Sequence, residues 1–249
     1  MSLVGFARFF FALFILAALP ALAAEDALSP RQKQAVEEVV REYLLHNPEV
    51  LVEAIRALQA RQEAEDRDRV QKNLASLRGE LENDPTSPVG GDPRGDITIV
   101  EFFDYRCGFC KRVFPTLMTL MKFDGKIRYA FKEFPILGPD SMVAARAALA
   151  VWKLDKAKYL AFHSALMKNK GQLPERKVMK IAAKNGLDVG KLRQIMADPG
   201  IERVIQKNYQ LAEALAITGT PAFIIGKRVV RGAIDLEALE RLVAEARKG

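Results

Sequence analysis

Cysteine and histidine are nearly absent from this chain of 249 residues, which carries two of each. Two cysteines cannot build a framework of structural cross-links. A zinc centre wants four ligands and would have to consume both cysteines together with His46 and His163, so that reading is set aside. No methionine-rich or histidine-rich tract accompanies the cysteines, which argues against a primary metal carrier. Beyond residue 24 no run is apolar enough to cross a bilayer, which takes about 20 residues. Lys and Arg lie scattered among acids with no aromatic interleaving. The formal net charge of +7 therefore reads as a solvated face, and no nucleic-acid partner is expected. What remains is ordinary globular material: apolar residues make up 49% of the chain, enough for one sizeable core and an appendage.

The first residues form an address. Arg8 precedes eleven apolar residues, Phe9 to Leu19, followed by Pro20 and Ala21-Leu22-Ala23. A charged start, a short apolar stretch and an A-x-A site make a secretory signal over residues 1–23. No cysteine lies near that site to take a lipid anchor. The protein is expected to be exported to the periplasm with cleavage of its signal peptide; an uncleaved anchor is the alternative. In an oxidising compartment a chain with no spare cysteines reserves both thiols for one task.

Those thiols stand together as Cys107-Gly108-Phe109-Cys110. They follow a run that reads as a buried strand, Ile97 to Phe103, and precede a run that reads as a helix. A C-x-x-C pair on a strand-to-helix turn is a redox arrangement. Unpaired backbone N–H groups and the partial positive charge of the helix start favour thiolate over thiol at Cys107, whose sulfur is expected to be partly exposed. Cys110, one turn in, can attack a mixed disulfide formed on Cys107. Lys111 and Arg112 add a small positive contribution. The redox-active pair itself is the only prosthetic chemistry expected, with no separate cofactor.

Three further regions can be delimited. Residues 24–62 are helical: Ser29-Pro30 is an N-cap with proline at the first helical position, and Val36, Val39, Val40, Tyr43 and Leu44 make an apolar stripe. His46-Asn47-Pro48 ends that helix and starts the next, whose stripe is Leu51, Ala54, Ile55 and Leu58. These stripes need a partner, either the main domain or other copies of themselves. Gln59 to Arg69 contains nothing apolar larger than alanine and reads as a charged helical spacer, leading from the first region into a charged stalk and linker over residues 63–94. Val70, Leu74, Leu77 and Leu81 restore a modest stripe. Asp84 to Pro93 reads as a loop and marks the domain boundary. From 95 to 249 the order is strand, helix, strand (Ile127 to Phe131), a helical stretch at about 139–216, two strands (Ala222–Ile225 and Val229–Arg231) and a final helix from Asp235.

That order, with the dithiol opening the first helix, resembles the DsbA-like thioredoxin family over about 155 residues. The resemblance implies an α/β thioredoxin fold with an inserted helical lid domain, preceded by an N-terminal α-helical oligomerisation region and stalk. It implies that Glu101, six residues before Cys107, is a buried acid aiding proton transfer, and that Thr218-Gly219-Thr220-Pro221-Ala222 is the loop whose proline is cis and faces the dithiol. Burial of Glu101 also follows from its place inside an apolar run, where a carboxyl holds its proton tightly. Gly108, Phe109, Gly219, Thr220 and Pro221 are the expected substrate contacts, Phe109 as part of an exposed apolar patch.

Two features depart from the oxidase DsbA, which has Pro-His between its cysteines and valine before its proline. Gly108-Phe109 supplies no charge to hold a thiolate, and Thr220 resembles the isomerases. The stretch Leu28 to Gln62, with Tyr43-Leu44-Leu45-His46-Asn47-Pro48-Glu49-Val50-Leu51, resembles the N-terminal domain of the copper-sensitivity suppressor ScsC proteins. The resemblances together imply an oligomeric disulfide isomerase, a trimer being favoured, that acts on disulfide-containing or misfolded exported proteins and is kept reduced by a membrane thiol reductase of the DsbD/ScsB type. The alternatives are a monomeric DsbA-like thiol oxidase and a copper-tolerance carrier holding Cu(I) between Cys107 and Cys110. Among lesser residues, Arg128 is expected to approach Glu101 from the second strand, His163 to be a packing residue, His46 to meet a helix dipole and Trp152 to sit in the core of the insertion.

Overall fold

A computed structural model describes residues 28–248 of the chain. The signal-peptide reading of residues 1–23 lies outside the described residues. Two compact units divide at Ala60 and Arg61.

In the first unit Ser29 caps helix α1 (Pro30–His46). The Ser29 hydroxyl accepts from the Gln32 N–H at 3.4 Å while the Ser29 N–H donates to Gln32 Oε1 at 2.9 Å, a reciprocal capping box ahead of Pro30. Asn47 ends α1, and helix α2 (Glu49–Ser76) begins after Pro48. His46 Nδ1 bonds the Glu42 carbonyl at 2.8 Å, in the last turn where the dipole is negative. No residue of α1 is buried, and Val36, Val39, Val40, Tyr43, Leu51, Val52, Ile55 and Leu58 are all exposed. The apolar stripes of both helices thus lack cover among the described residues.

The second unit begins inside α2. The charged segment is helical and wholly exposed, and its support comes from side-chain pairs at i,i+3 and i,i+4: Arg61–Glu65, Arg67–Glu63 and Arg69–Asp66. Val70 and Leu74 at the end of α2, and Leu81 of helix α3 (Arg78–Glu82), are buried. Packing of the second unit therefore starts before the loop Asp84 to Pro93. That loop also holds a strand, β1 (Val89–Gly91), antiparallel to a later one. Two of its three residues are glycine, so no alternation announces it. Gly91 has φ +71°, and a Cβ there would run into the Ile127 carbonyl, so the strand can end only on glycine.

Strand β2 (Ile97–Phe103) leads into helix α4 (Gly108–Asp124), and strand β3 (Ile127–Glu133) follows. Helices α5 (Pro139–Leu154), α6 (Lys156–Lys168), α7 (Glu175–Lys184), α8 (Val189–Met196) and α9 (Pro199–Ala214) form the insertion. Strands β4 (Ala222–Ile225) and β5 (Arg228–Arg231) and helix α10 (Leu236–Lys248) complete the unit. The sheet order is β1-β3-β2-β4-β5, with β2 parallel to β3 and antiparallel to β4. This is the thioredoxin fold expected from the order of elements.

The sheet is covered on both faces, which is why its inner strands read as continuous apolar runs. Ile97, Ile99, Phe103, Ile127, Tyr129 and Phe131 face a core shared with α4, α10 and the insertion. Val100, Phe102, Ala130, Ala222 and Ile224 face a second core closed by Val70, Leu74, Leu81 and residues of α9. The insertion is thus continuous with the core of the sheet. Trp152 is partly buried against that core and stacks edge-on to Tyr159 at 5.6 Å. On the second face Lys132 is completely buried; its ammonium donates to Ser87 Oγ at 2.7 Å and to the Glu80 carbonyl at 2.8 Å. Those acceptors offset the cost of burying a charge.

Candidate active site

The sharp turn between β2 and α4 is fixed by Asp104. Its carboxylate accepts from the Arg106 N–H at 2.7 Å, the Leu137 N–H at 2.9 Å and the Ser141 hydroxyl at 2.8 Å. The Cys107 N–H donates to the Asp104 carbonyl at 3.0 Å. This leaves Cys107 as the N-cap of α4, with extended backbone geometry, and its sulfur accepts from the Cys110 N–H at 3.4 Å. A sulfur in that position faces the orphan N–H groups of the first turn, which stabilise negative charge.

The second wall of the site is the loop before β4. The Thr220–Pro221 bond is cis, and the Cys107 thiol donates to the Thr220 carbonyl at 3.2 Å. As residues, Cys107 is 5% exposed and Cys110 is fully buried. Both thiols are free, so the site stands in its reduced form. Phe109 is 54% exposed, with the Arg112 guanidinium 4.7 Å from its ring centre. Gly108 and Gly219 are exposed and Thr220 is half-buried, so Gly108, Phe109, Gly219 and Thr220 present an accessible surface around the dithiol, with Pro221 buried behind it.

The two thiols titrate in opposite directions. A hydrogen bond from the Cys110 side chain, with help from the Thr220 side chain and from the Cys110 and Phe109 backbone, lowers the Cys107 thiol to about 5 against the opposing effect of burial. Burial pushes the Cys110 thiol far above its ordinary value, and the charges of Glu101 and Cys107 add to this. Sequence reasoning looked for a charge between the cysteines and found none; hydrogen bonds supply the stabilisation instead.

Glu101 points to the same face as the dithiol and is 2% exposed. The Tyr129 hydroxyl donates to its Oε2 at 2.7 Å, and Oε1 has no hydrogen-bond partner. Burial raises this carboxyl to about 8, with a further push from Cys107 and an opposing pull from Tyr129. Arg128 does not approach it, which corrects that expectation. Odd-numbered residues of β2 and β3 face the dithiol and even-numbered ones face away, so Arg128, opposite Thr98, instead donates to the Glu82 carbonyl.

Several residues escaped sequence reasoning. Tyr129 was hidden because the register of β2 against β3 is not written in either strand. Tyr105 donates to Glu133 Oε1 at 3.0 Å and bonds His163 Nδ1 at 2.9 Å, all fully buried or nearly so. His163 also stacks on Tyr159 at 5.7 Å, in keeping with its reading as a packing residue, and burial lowers its imidazole to about 3. Asp104 did leave a signal, since an aspartate that accepts from the N–H two residues on is a common turn device. Among the described residues no group of three or more metal-ligating side chains occurs.

Residues 98–244 match the DSBA-like thioredoxin domain. The chain belongs to the DSBA-like thioredoxin family. Residues 32–65 match the copper resistance protein ScsC N-terminal domain. A linker-deletion mutant of Proteus mirabilis ScsC is 31% identical, superposes with a TM-score of 0.68, and is matched over 90% of this chain and 98% of that one. A thioredoxin-like oxidoreductase from Silicibacter pomeroyi is 41% identical with a TM-score of 0.67, over 69% of this chain and 98% of that one. Among curated relatives, Na(+)/H(+) antiporter NhaA 1 of Salinispora arenicola is 28% identical over 65% of this chain. The chain spans only about a quarter of the length of the first such relatives, 25% and 24%. The DSBA-like part carries the dithiol, Glu101 and the Thr220–Pro221 loop in one site. The arrangement is that of thiol–disulfide exchange: a stabilised thiolate, a protonated thiol one turn behind it and a buried acid beside both.

Proposed function

We propose that this protein is a periplasmic thiol–disulfide oxidoreductase, exported by its signal peptide, that works as an oligomeric disulfide isomerase. The observation that carries the reading is Cys107: a capping sulfur with a lowered thiol, set against the Thr220–Pro221 loop, with Cys110 buried behind it.

The Cys107 thiolate attacks one sulfur of a substrate disulfide. A Cys107–substrate disulfide forms and the other substrate sulfur leaves as a thiolate. A different substrate thiolate then attacks the substrate sulfur, making a new disulfide and releasing Cys107, with no net transfer of electrons. When Cys110 attacks Cys107 instead, the substrate leaves reduced and the enzyme retains a Cys107–Cys110 disulfide. A membrane thiol reductase of the DsbD/ScsB type returns the two electrons. Cys110 must lose a proton for its attack, and Glu101, in its ionised form, is the group we assign to take it; because this carboxyl is raised to about 8, its ionised fraction grows as pH rises towards that value. Extended substrate lies against Thr220 and Pro221, with Phe109 and Gly108 on the other side.

The exposed stripes of α1 and α2 support assembly, a trimer being the form the ScsC resemblance favours. Joined active sites raise the effective concentration of thiolate at a tangled substrate. The test is recovery of a scrambled multi-disulfide protein by the reduced full chain beside residues 61–249, the compact unit of the structure. The full chain is expected to recover activity and the shorter one to recover far less while still reducing a simple disulfide. Equal recovery by both would overturn the need for assembly and leave an isomerase that works without the N-terminal helices, and recovery by neither would leave a thiol oxidase or a copper carrier.

A second reading rests on the match of residues 32–65 to a copper resistance domain. Two sulfur ligands suit Cu(I), and Cys107 with Cys110 would supply them. Stoichiometric Cu(I) retention by a protein with no exchange activity would favour it.

A further inference from the structure

Beside the dithiol lies a cleft of about 620 Å³ between the start of α4 and the connection from α6 to α7. Its charge is of one sign. Arg106, Lys111, Lys168 and Lys170 line it. Lys177 stands near enough that its like charge, after burial, lowers the Lys111 ammonium. Among the described ion pairs none involves any of these five cations. Lys111 Nζ donates to the Asn169 carbonyl at 2.5 Å, Lys177 Nζ to the Lys170 carbonyl at 3.1 Å, and Arg106 to the Leu137 carbonyl. Two carboxylates lie nearby, Asp104 and Asp140. Both are engaged: Asp104 by its three donors, and Asp140 by the Leu173 N–H at 3.1 Å. Folding has gathered like charges where repulsion costs stability, with carbonyl oxygens as their hydrogen-bond acceptors and the charge of Asp104 acting favourably on Lys111.

We propose that this cleft binds a carboxylate-rich stretch of the polypeptide whose cysteine exchanges with Cys107. The inference rests on the oxidoreductase reading and names the kind of substrate that reading favours. Arg106 directly precedes Cys107, and Lys111 lies one turn after it, with its N–H donating to the Cys107 carbonyl at 3.1 Å. Acidic residues a few positions from a substrate cysteine would therefore enter the cleft as the sulfur reaches Cys107. Charge complementarity of this kind acts mainly on encounter rate and on partner choice. It would also screen out basic segments, because a lysine brought against Lys111 and Lys177 meets two cations held by the fold.

The test uses two symmetric peptide disulfides that differ only in residues flanking the cysteine, glutamate in one and serine in the other. Attack by Cys107 expels one peptide thiolate, and attack by Cys110 releases the second and oxidises the enzyme. The acidic peptide is expected to react about tenfold faster at low ionic strength, within the range that electrostatic steering supplies. The advantage should vanish near 1 M salt, where the screening length is about 3 Å. The exposed pair Lys168→Glu with Lys170→Glu should abolish or reverse the preference and leave the rate with the serine peptide unchanged. Equal rates for both peptides in the native chain at low salt would overturn the cleft proposal while leaving exchange intact. A cysteine-free, fluorescently labelled acidic peptide, followed by anisotropy, tests the cleft without redox turnover. Binding that salt and the double variant remove supports the cleft even if exchange is absent, and binding no tighter than that of the serine peptide overturns it.

Discussion

Cys107→Ser is expected to abolish disulfide exchange, lowering the rate by several orders of magnitude, the scale on which loss of a nucleophile is felt. A serine hydroxyl at the same N-cap would keep the helix start intact, since serine is a good capping residue. The loss would therefore be chemical and not structural. Cys110→Ser should behave differently. Its Cys107 still attacks, but no thiol stands behind it to resolve the mixed disulfide, so substrate accumulates on the enzyme. Non-reducing electrophoresis of either variant after mixing with a disulfide substrate separates the cases: no adduct with Cys107→Ser, and a persistent adduct with Cys110→Ser. Exchange by Cys107→Ser at the native rate would rule out Cys107 as the nucleophile.

Glu101→Gln should flatten the pH dependence of stability in the oxidised protein. The Glu101 carboxyl ionises near 4.5 in the unfolded chain and, through burial, near 8 in the folded one. Between those values the folded state holds a proton that the unfolded state has released. Stability is therefore complete below pH 4.5, falls as pH rises, and is lost to its full extent once pH passes about 8. The interval from 4.5 to about 8, at about 1.4 kcal/mol per pH unit, corresponds to about 5 kcal/mol. The oxidised protein is the simpler one to use, because in the reduced form the lowered Cys107 thiol acts in the opposite sense and stabilises increasingly above pH 5; burial, the first cause of the Glu101 shift, acts in both forms, while the smaller push from Cys107 is absent in the oxidised one. Glutamine keeps an acceptor for the Tyr129 hydroxyl and carries no ionisable proton. Urea unfolding at pH 4 and pH 9 should show a large fall for the native chain and a smaller one for the variant, in which the buried Glu133 carboxyl, raised by the same cause, still contributes in the same direction. Parallel curves would mean that Glu101 is not the buried acid of the site.

The dithiol was legible because chemistry and local geometry coincide in four consecutive residues: Cys107 caps a helix and Cys110 lies one turn on. The burial of Glu101 was legible because an apolar strand covered on both faces leaves no room for a solvated side chain. Its partner was not, since Tyr129 reaches it only through the pairing of β2 with β3, and strand pairing is a long-range fact. The same limit misplaced Arg128, whose side of the sheet follows from a parity that only the register fixes. Strand β1 was missed for a local reason: Val89-Gly90-Gly91 has turn composition and becomes a strand because β3 offers it an edge. The packing of the end of α2 and of α3 on the sheet was not legible, because Val70, Leu74 and Leu81 look like a weak stripe until the sheet face they cover is known. The helical stretch at about 139–216 was legible because its caps lie in the chain itself: Asp155, Asp188 and Asp198 all accept from a first-turn N–H.

Cys107 is, on all these grounds, a preformed nucleophile, and Cys110 is not. Alkylation of the reduced protein across pH, with the modified cysteine identified by peptide mass, tests that difference most directly. Cys107 is expected to be modified with a midpoint near pH 5 while Cys110 stays unmodified in the folded protein. Modification of both cysteines together, with a midpoint near the ordinary thiol value of 9, would contradict it.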